Sequence, residues 1–306
     1  MNRILKLLIA LLILGGQLLA QPQVISGKIE RIENFKSAYI SARTIDIWLP
    51  DSYSTSRKYA VLYMQDGQML FDSTQTWNKQ AWDIDDVATG LLQTHQVRNF
   101  IVVGIWNGGK TRHEEYFPER VFQQLSQTEK DTFLAQLKNA GKNIDTFQAK
   151  SNNYLQFIVK ELKPYIDKRF SVHTNPANTF IAGSSMGALV SIYALCEYPH
   201  IFGGAACLST HWVGTYTLQN NPIPQHFIHY LNQYLPKPTQ HKIYFDCGDQ
   251  TLDALYPGVQ QRVDSLLSQK GFTVANGLTR YFPGHNHSEK SWKNRLNIPL
   301  VFLLRQ

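Results

Sequence analysis

Cysteine is scarce in this 306-residue chain: Cys196, Cys207 and Cys247 are the whole supply. An odd count leaves at least one thiol free in a monomer. All three sit in apolar helix or strand patterns, so they read as buried small hydrophobes, not a disulfide framework or a metal site. Low-complexity tracts, internal repeats and an interdomain linker are also missing, which excludes repeat arrays and long disordered tails. There is no cationic cluster either. The net charge of +7 is spread along the chain, so it can attract anionic substrates or surfaces but specifies no nucleic-acid site. The apolar run Leu7–Leu14 is short for a membrane span and is broken by Gly15-Gly16-Gln17. With Arg3 and Lys6 before it and Leu18-Leu19-Ala20 after it, Met1–Ala20 reads as a secretory signal. Its removal takes two positive charges from +7 and leaves +5. No cysteine stands at the cleavage region, so no lipoprotein anchor is indicated. The expectation is a secreted or periplasmic protein, free of the membrane once the signal is gone.

What is present is enough apolar residue, 43%, to fill a sizeable core. The stretch around which the rest is arranged is Asn178–Leu189. Phe180-Ile181-Ala182 reads as a short buried strand. It enters Gly183-Ser184-Ser185-Met186-Gly187, a G-x-S-x-G sequence, and Ala188–Leu195 then reads as a helix stopped near Pro199. A serine on a sharp strand-to-helix turn needs neighbours without bulky Cβ groups, because backbone crowds it two residues to either side. Such a turn presents Ser185 as a nucleophile. It also aims the Met186 amide at the helix N-terminus, where an oxyanion is favoured.

Along the chain, Ile29–Phe35 and Ala38–Leu49 are expected as a two-stranded N-terminal meander, the second strand ending at Pro50-Asp51. Buried strands are expected at Ala60–Met64 and Ile101–Ile105, with a helix over Trp82–Gln93 between them. Strand, helix, strand with near-continuous apolar strands predicts an α/β fold, a mostly parallel sheet covered on both faces. Glu119–Phe147 is polar and partly helical and reads as a cap-like insertion near the site. Tyr154–Lys168 carries Leu155, Ile158, Val159, Leu162 and Ile166 at helical spacing. Further strands follow at Phe202–Leu208, Lys242–Cys247 and Leu278–Phe282, with helices at Gln260–Gln269 and Trp292–Leu304. Residues 21–306 thus form one catalytic domain.

A serine hydroxyl is a weak nucleophile until a base can take its proton, and the base needs a group to orient it. In this architecture the chain order is serine, acid, histidine. Acid candidates Asp249 and Asp253 follow the Lys242–Cys247 strand; His285 and His287 follow the last strand. Asp249 could equally shape a turn and Asp253 cap a helix. Asp253 is favoured because a loop of several residues can carry its carboxylate towards the histidines. His285-Asn286-His287 has no third and fourth ligand for a metal, so neither a metal nor another cofactor is expected.

Gly183–Leu189, with Tyr198-Pro199 and Ile201-Phe202-Gly203 after it, resembles the putative-esterase family of the α/β-hydrolase superfamily. That family includes esterase D, the enterochelin-type siderophore esterases and feruloyl or acetyl-xylan esterases. Phe282–Trp292 resembles its closing loop, Tyr63–Gln68, Val102–Ile105 and Arg112–Pro118 are similar to other family segments, and the likeness runs from about Ala38 onwards. It implies an α/β-hydrolase fold, His287 as the catalytic histidine, and the amide of Gln68 as the second oxyanion donor. The acid loop Gly248–Asp253 departs from the feruloyl-esterase spacing, so the acid is the loosest part of the carry-over. Trp106, Arg112, Tyr116, His211 and Trp212 lie on loops leaving the same sheet edge and are candidates to line a cleft for an aromatic or sugar-bearing substrate. The expected function is serine carboxylic ester hydrolysis on a siderophore-type or acyl-carbohydrate ester. Acyl transfer, or a non-catalytic binding role on a hydrolase fold, are the alternatives.

Overall fold

The computed structural model describes residues 21–142 and 146–305; the Met1–Ala20 signal lies outside them. Eight strands form one sheet: β1 (Lys28–Phe35), β2 (Arg43–Leu49), β3 (Ala60–Gln65), β4 (Phe100–Ile105), β5 (Thr179–Ser184), β6 (Gly204–Leu208), β7 (Lys242–Cys247) and β8 (Gly277–Tyr281). Their order is β1-β2-β4-β3-β5-β6-β7-β8. β1 pairs antiparallel with β2, and β2 antiparallel with β4; every later pairing is parallel. All strands from β3 onwards therefore release their loops at one edge, where open α/β sheets assemble their sites.

The helices are α1 (Ile84–Gln93), α2 (Arg112–Tyr116), α3 (Glu119–Gln123), α4 (Gln127–Asn139), α5 (Ser151–Phe157), α6 (Lys163–Arg169), α7 (Met186–Glu197), α8 (Ile223–Tyr234), α9 (Pro257–Gln269), α10 (Glu289–Lys293) and α11 (Asn297–Leu304). Successive strand residues point to opposite faces, so each parallel strand feeds two cores. Val61, Tyr63, Val103 and Ile181 pack with α5, α7, α8 and α9. Leu62, Met64, Val102 and Phe180 pack with α1 and α11 on the other side. This double burial is why these strands read as unbroken apolar runs. Cys196, Cys207 and Cys247 are free and buried. Among the described residues no helix is long and apolar enough to cross a membrane.

Four elements differ from the sequence expectation. Residues 38–42 are loop, because Ser37 Oγ accepts the amides of Tyr39 (3.0 Å) and Ile40 (3.3 Å) and so offers the backbone an alternative to a ladder. The helix expected over Tyr154–Lys168 is interrupted by a π turn at Ile158–Leu162. Pro164, just beyond, has no N–H for the carbonyl four residues earlier. The helix expected over Trp292–Leu304 divides into α10 and α11; Pro299 cannot donate to the carbonyl of residue 295. α8 falls in a stretch with no helical expectation; Pro222 and Pro224 flank its start, where proline's missing amide is no loss.

The chain before β1 is fastened by carboxylates. The amides of Gln23, Ile25 and Gly27 donate to Asp72, Asp85 and Asp51 at 3.0, 2.9 and 3.0 Å. Burial pushes the Asp85 carboxyl up to about 6, against the hydrogen bond from Ile25. A carboxyl raised in the fold stabilises it only while protonated. That contribution is complete below the unfolded value near 4 and is lost as pH rises through about 6. Asp85→Asn is therefore expected to flatten the fall in stability between about pH 4 and 6, read as urea midpoints across that range.

Candidate active site

The elbow is the most strained point of the site. Ser185 sits at φ 56°, ψ −122°, a conformation that costs a non-glycine residue on the order of 1–3 kcal/mol. It is held there by its amide bonded to the Leu208 carbonyl (3.0 Å) and by its own carbonyl, which accepts the amides of Ala188 (3.1 Å), Leu189 (3.2 Å) and His211 (3.3 Å). A Cβ on Gly183 would stand 2.7 Å from the Gly187 carbonyl, and one on Gly187 would stand 2.9 Å from Gln65 Cβ. Gly183 is therefore required by close backbone approach and Gly187 by the Gln65 side chain. Met186 is the first residue of α7, so its amide has no intrahelical acceptor.

Ser185 and His287 line one cleft of about 570 Å³, with Gln68, Arg112, Tyr216 and Trp292 among its other walls. Gln68 lies in a single helical turn, Gly67–Met69, directly after β3. His287 Nδ1 stands 2.6 Å from Asp253 Oδ1, and its amide donates to Thr251 Oγ1 at 3.0 Å. Asp249 is elsewhere engaged: its carboxylate accepts the Tyr281 hydroxyl (3.0 Å) and the Gly284 amide (2.8 Å) and shapes the loop after β8. His285 contributes its carbonyl to the amides of Asp249 and Gln250, both at 3.1 Å.

Asp253 is fully buried. Burial pushes its carboxyl up, but hydrogen bonds from His287, Ser209 and Gly248, with the charge of His287, outweigh that and hold it below the usual range. Its Oδ2 accepts from Ser209 Oγ and from the Gly248 amide, each at 2.7 Å. Ser209 Oγ in turn accepts from Trp292 Nε1 (2.9 Å) and Arg295 Nη2 (2.7 Å). Arg295, 1% exposed, also meets Asp246 Oδ1 at 2.9 Å. The acid therefore rests on a buried lattice of two carboxylates and one guanidinium. Burial lifts the Asp246 carboxyl to about 6 despite the Arg295 charge. Nothing in the sequence singles out Ser209, Asp246 or Arg295, because the bonds that join Ser209 to the other two span 37 and 86 residues.

The candidate substrate-binding residues divide. Arg112 lines the cleft, its guanidinium spanning both oxygens of Asp66 at 2.7 and 2.8 Å. Trp106 lines a neighbouring cavity, with Nε1 on Asp46 at 2.8 Å. Tyr116 and Trp212 are corrections to the expectation: both are fully buried, so neither presents surface to a substrate. Tyr116 accepts the Asp66 amide through its hydroxyl (3.3 Å), and Trp212 Nε1 donates to Gln260 (2.8 Å). His211 is buried too, its Nδ1 2.7 Å from the Tyr256 hydroxyl. Burial, then the nearby His287, His113 and Arg112 charges, drives its imidazole well below the usual range and keeps it neutral. The Tyr256 ring lies 5.8 Å from that of His287. Tyr216 lines the cleft with no motif to announce it, whereas Trp292, also in its wall, ends the Phe282–Trp292 segment.

The 119–147 insertion stands back from the mouth. Among its described residues none lines the cleft; Phe122, Phe133 and Phe147 instead pack with Phe117. It reaches the cleft indirectly. Gln136 Oε1 accepts from Thr215 Oγ1 at 3.0 Å, and Lys142 Nζ lies 5.3 Å from the ring centre of Tyr216, a cleft residue. The loop 71–83 forms the opposite rim, tied to α10 by Asn78–Glu289 (2.8 Å) and by Lys293–Asp83.

Comparison with known proteins agrees with this architecture. The chain is 24% identical over 238 residues to the Bacillus subtilis (strain 168) protein YbbA, covering 76% of this chain and 80% of that one. A ferulic acid esterase structure superposes with a TM-score of 0.65 at 17% identity, over 91% of this chain and 98% of the other. The enterobactin esterase FES from Shigella flexneri does so with a TM-score of 0.64 at 16% identity, over 92% of this chain and 60% of that one. Residues 37–302 match the model of the family described as Putative esterase. The chain belongs to that family, with its α/β-hydrolase fold, and is a carboxylic ester hydrolase.

Proposed function

We propose that Ser185, His287 and Asp253 are the nucleophile, base and orienting acid of this esterase. The observation that carries the reading is the 2.6 Å contact of His287 Nδ1 with a buried carboxylate, made by a histidine that shares a cleft with the elbow serine. With Asp253 ionised, Nδ1 carries the proton and Nε2 is left as the base. Nε2 takes the Ser185 proton as Oγ attacks the ester carbonyl, then returns it to the leaving alcohol. Water repeats the sequence on the acyl-enzyme. The developing oxyanion is met by the amides of Met186 and Gln68, aided by the N-terminus of α7. The ester is of siderophore or acyl-carbohydrate type, a reading supported by an enterobactin esterase and ferulic acid esterases sharing the fold. No cofactor is required. The signal-like Met1–Ala20 supports action outside the cytoplasm.

Ser185→Ala is expected to lower kcat for p-nitrophenyl acetate on the order of 10³-fold or more with the fold intact. Near-full activity would remove Ser185 from the role. For the acid, Asp253→Asn should cost at least 10²-fold and Asp249→Asn less than about threefold in the same assay; equal losses would reopen the choice between them.

The insertion is assigned an indirect influence on access, through its hold on Tyr216. Replacing Gln124–Ile144 with a short glycine-serine linker should change the ratio of kcat/KM between an acetate ester and a bulky ester. An unchanged ratio in a folded variant would leave it a peripheral element.

A further inference from the structure

The turn that carries Gln68 is held by a carboxylate outside the triad. Just after β3, Asp66 has a φ of 55° and a ψ of 48°, in the left-handed region that aspartate tolerates better than most residues. Its carbonyl accepts the Met69 amide at 2.8 Å and so closes the Gly67–Met69 turn. Gly67 is wedged against β4, since a Cβ there would stand 2.6 Å from the Gly104 carbonyl carbon. The buried carboxylate is engaged at both oxygens. Oδ1 accepts Asn107 Nδ2 (2.6 Å) and Arg112 Nε (2.7 Å), and Oδ2 accepts Arg112 Nη2 (2.8 Å). Asn107 grips the turn a second time, its amide donating to Gln68 Oε1 at 3.2 Å. The carboxylate also borders the elbow helix: a Cβ on Gly187 would stand 3.2 Å from Asp66 Oδ2. One side chain thus reaches from the turn that carries Gln68 to the first turn of α7, which carries Met186.

Its charge is a hazard in that place. A bare carboxylate beside a developing oxyanion would raise the barrier that the two amides lower. Arg112 offsets it. Burial presses the guanidinium pKa down, but the charge and hydrogen bonds of Asp66 outweigh that and keep it protonated. Two of its three nitrogens are spent on Asp66, and the group lies 5.1 Å from the ring centre of Tyr116. Most of the fork therefore serves the protein, although Arg112 lines the cleft.

We propose that Asp66 is a positioning residue for the oxyanion site, fixing the Gln68 turn against the elbow helix, and that Arg112 serves it by cancelling its charge. The proposal rests on Ser185 as nucleophile and the Gln68 amide as donor, and adds what keeps that donor in place. Five proteins are compared: wild type, Asp66→Asn, Asp66→Ala, Arg112→Met and Asp66→Asn/Arg112→Met. For each, kcat and KM are measured with p-nitrophenyl acetate, and Ki with 1,1,1-trifluoro-2-butanone, whose serine adduct carries a tetrahedral oxyanion. Ser185→Ala is the reference in the same assay, and thermal melts check folding.

Asp66→Ala should lower kcat on the order of 10²-fold and raise Ki in step, with KM within about threefold, because the donor acts only once the oxyanion forms. Asp66→Asn is nearly isosteric and keeps one acceptor oxygen, so it should lose about tenfold; it decides the matter if Asp66→Ala does not fold. Arg112→Met leaves the carboxylate uncancelled, and the double variant should regain about fivefold or more over it. Unchanged kcat and Ki in the folded Asp66 variants, even with a lower melting temperature, would overturn the proposal while an inactive Ser185→Ala upheld the nucleophile. A loss confined to KM, or a double variant no better than Arg112→Met, would also overturn it and make Arg112 a substrate ligand. Near-full activity in Ser185→Ala would remove the triad and this proposal together.

Discussion

A carboxylate with no exposure to water is expensive, and Asp253 is one. Its burial is tolerable because each oxygen is met: Oδ1 by His287, Oδ2 by Ser209 and the Gly248 amide. Ser209 is itself pinned, at a φ of 44°, by its amide on Asp246 and by Trp292 and Arg295. The loops after β6, β7 and β8 therefore meet at one hydroxyl. Removing Arg295 would leave two buried carboxylates without their cation, a change of the kind that costs about 3–5 kcal/mol. The lattice makes a rigid support for the imidazole out of charges that would each be unfavourable alone.

The other half of the site is organised by backbone. Around Ser185, the closeness of β5 to α7 excludes a side chain at Gly183, and Gln65 at the end of β3 excludes one at Gly187. The two halves differ in kind. The proposed nucleophile is placed by backbone contacts and sterics around the elbow, whereas the proposed base is placed by side-chain hydrogen bonds between residues far apart in the chain. Tyr256 lies beside the second half, its ring 5.8 Å from that of His287 and its hydroxyl on His211.

That difference explains what the sequence discloses. Strand, elbow and helix are local, so Gly183–Gly187 is legible as a motif, and the strands buried on both faces are legible as apolar runs. The order serine, acid, histidine is legible because it follows the strand order. Ser209, Asp246 and Arg295 are not, since a serine, an aspartate and an arginine carry no pattern until the fold brings them together. Aromatic residues mislead for a related reason. Tyr116, at the end of α2, and Trp212, on the loop after β6, lie at the right edge, yet their rings turn inward to fill space, while the exposed Trp77 and Tyr216 occupy polar stretches that attract no notice. The departures at α5–α6 and α10–α11 are proline effects on helices whose apolar spacing looks continuous.

His287, Trp292 and Arg295 all follow β8 in the chain, after every other part of the site has been synthesised. A domain emerging from a ribosome or a translocation pore can pair β3 to β6 and form its elbow well before then. On the proposed triad, until the segment beyond β8 docks, Ser185 has no base, Ser209 no cation behind it, and Asp253 no histidine to satisfy Oδ1. On that reading the nascent protein is a silent hydrolase, its serine unarmed, and esterase activity appears only as a final event of folding.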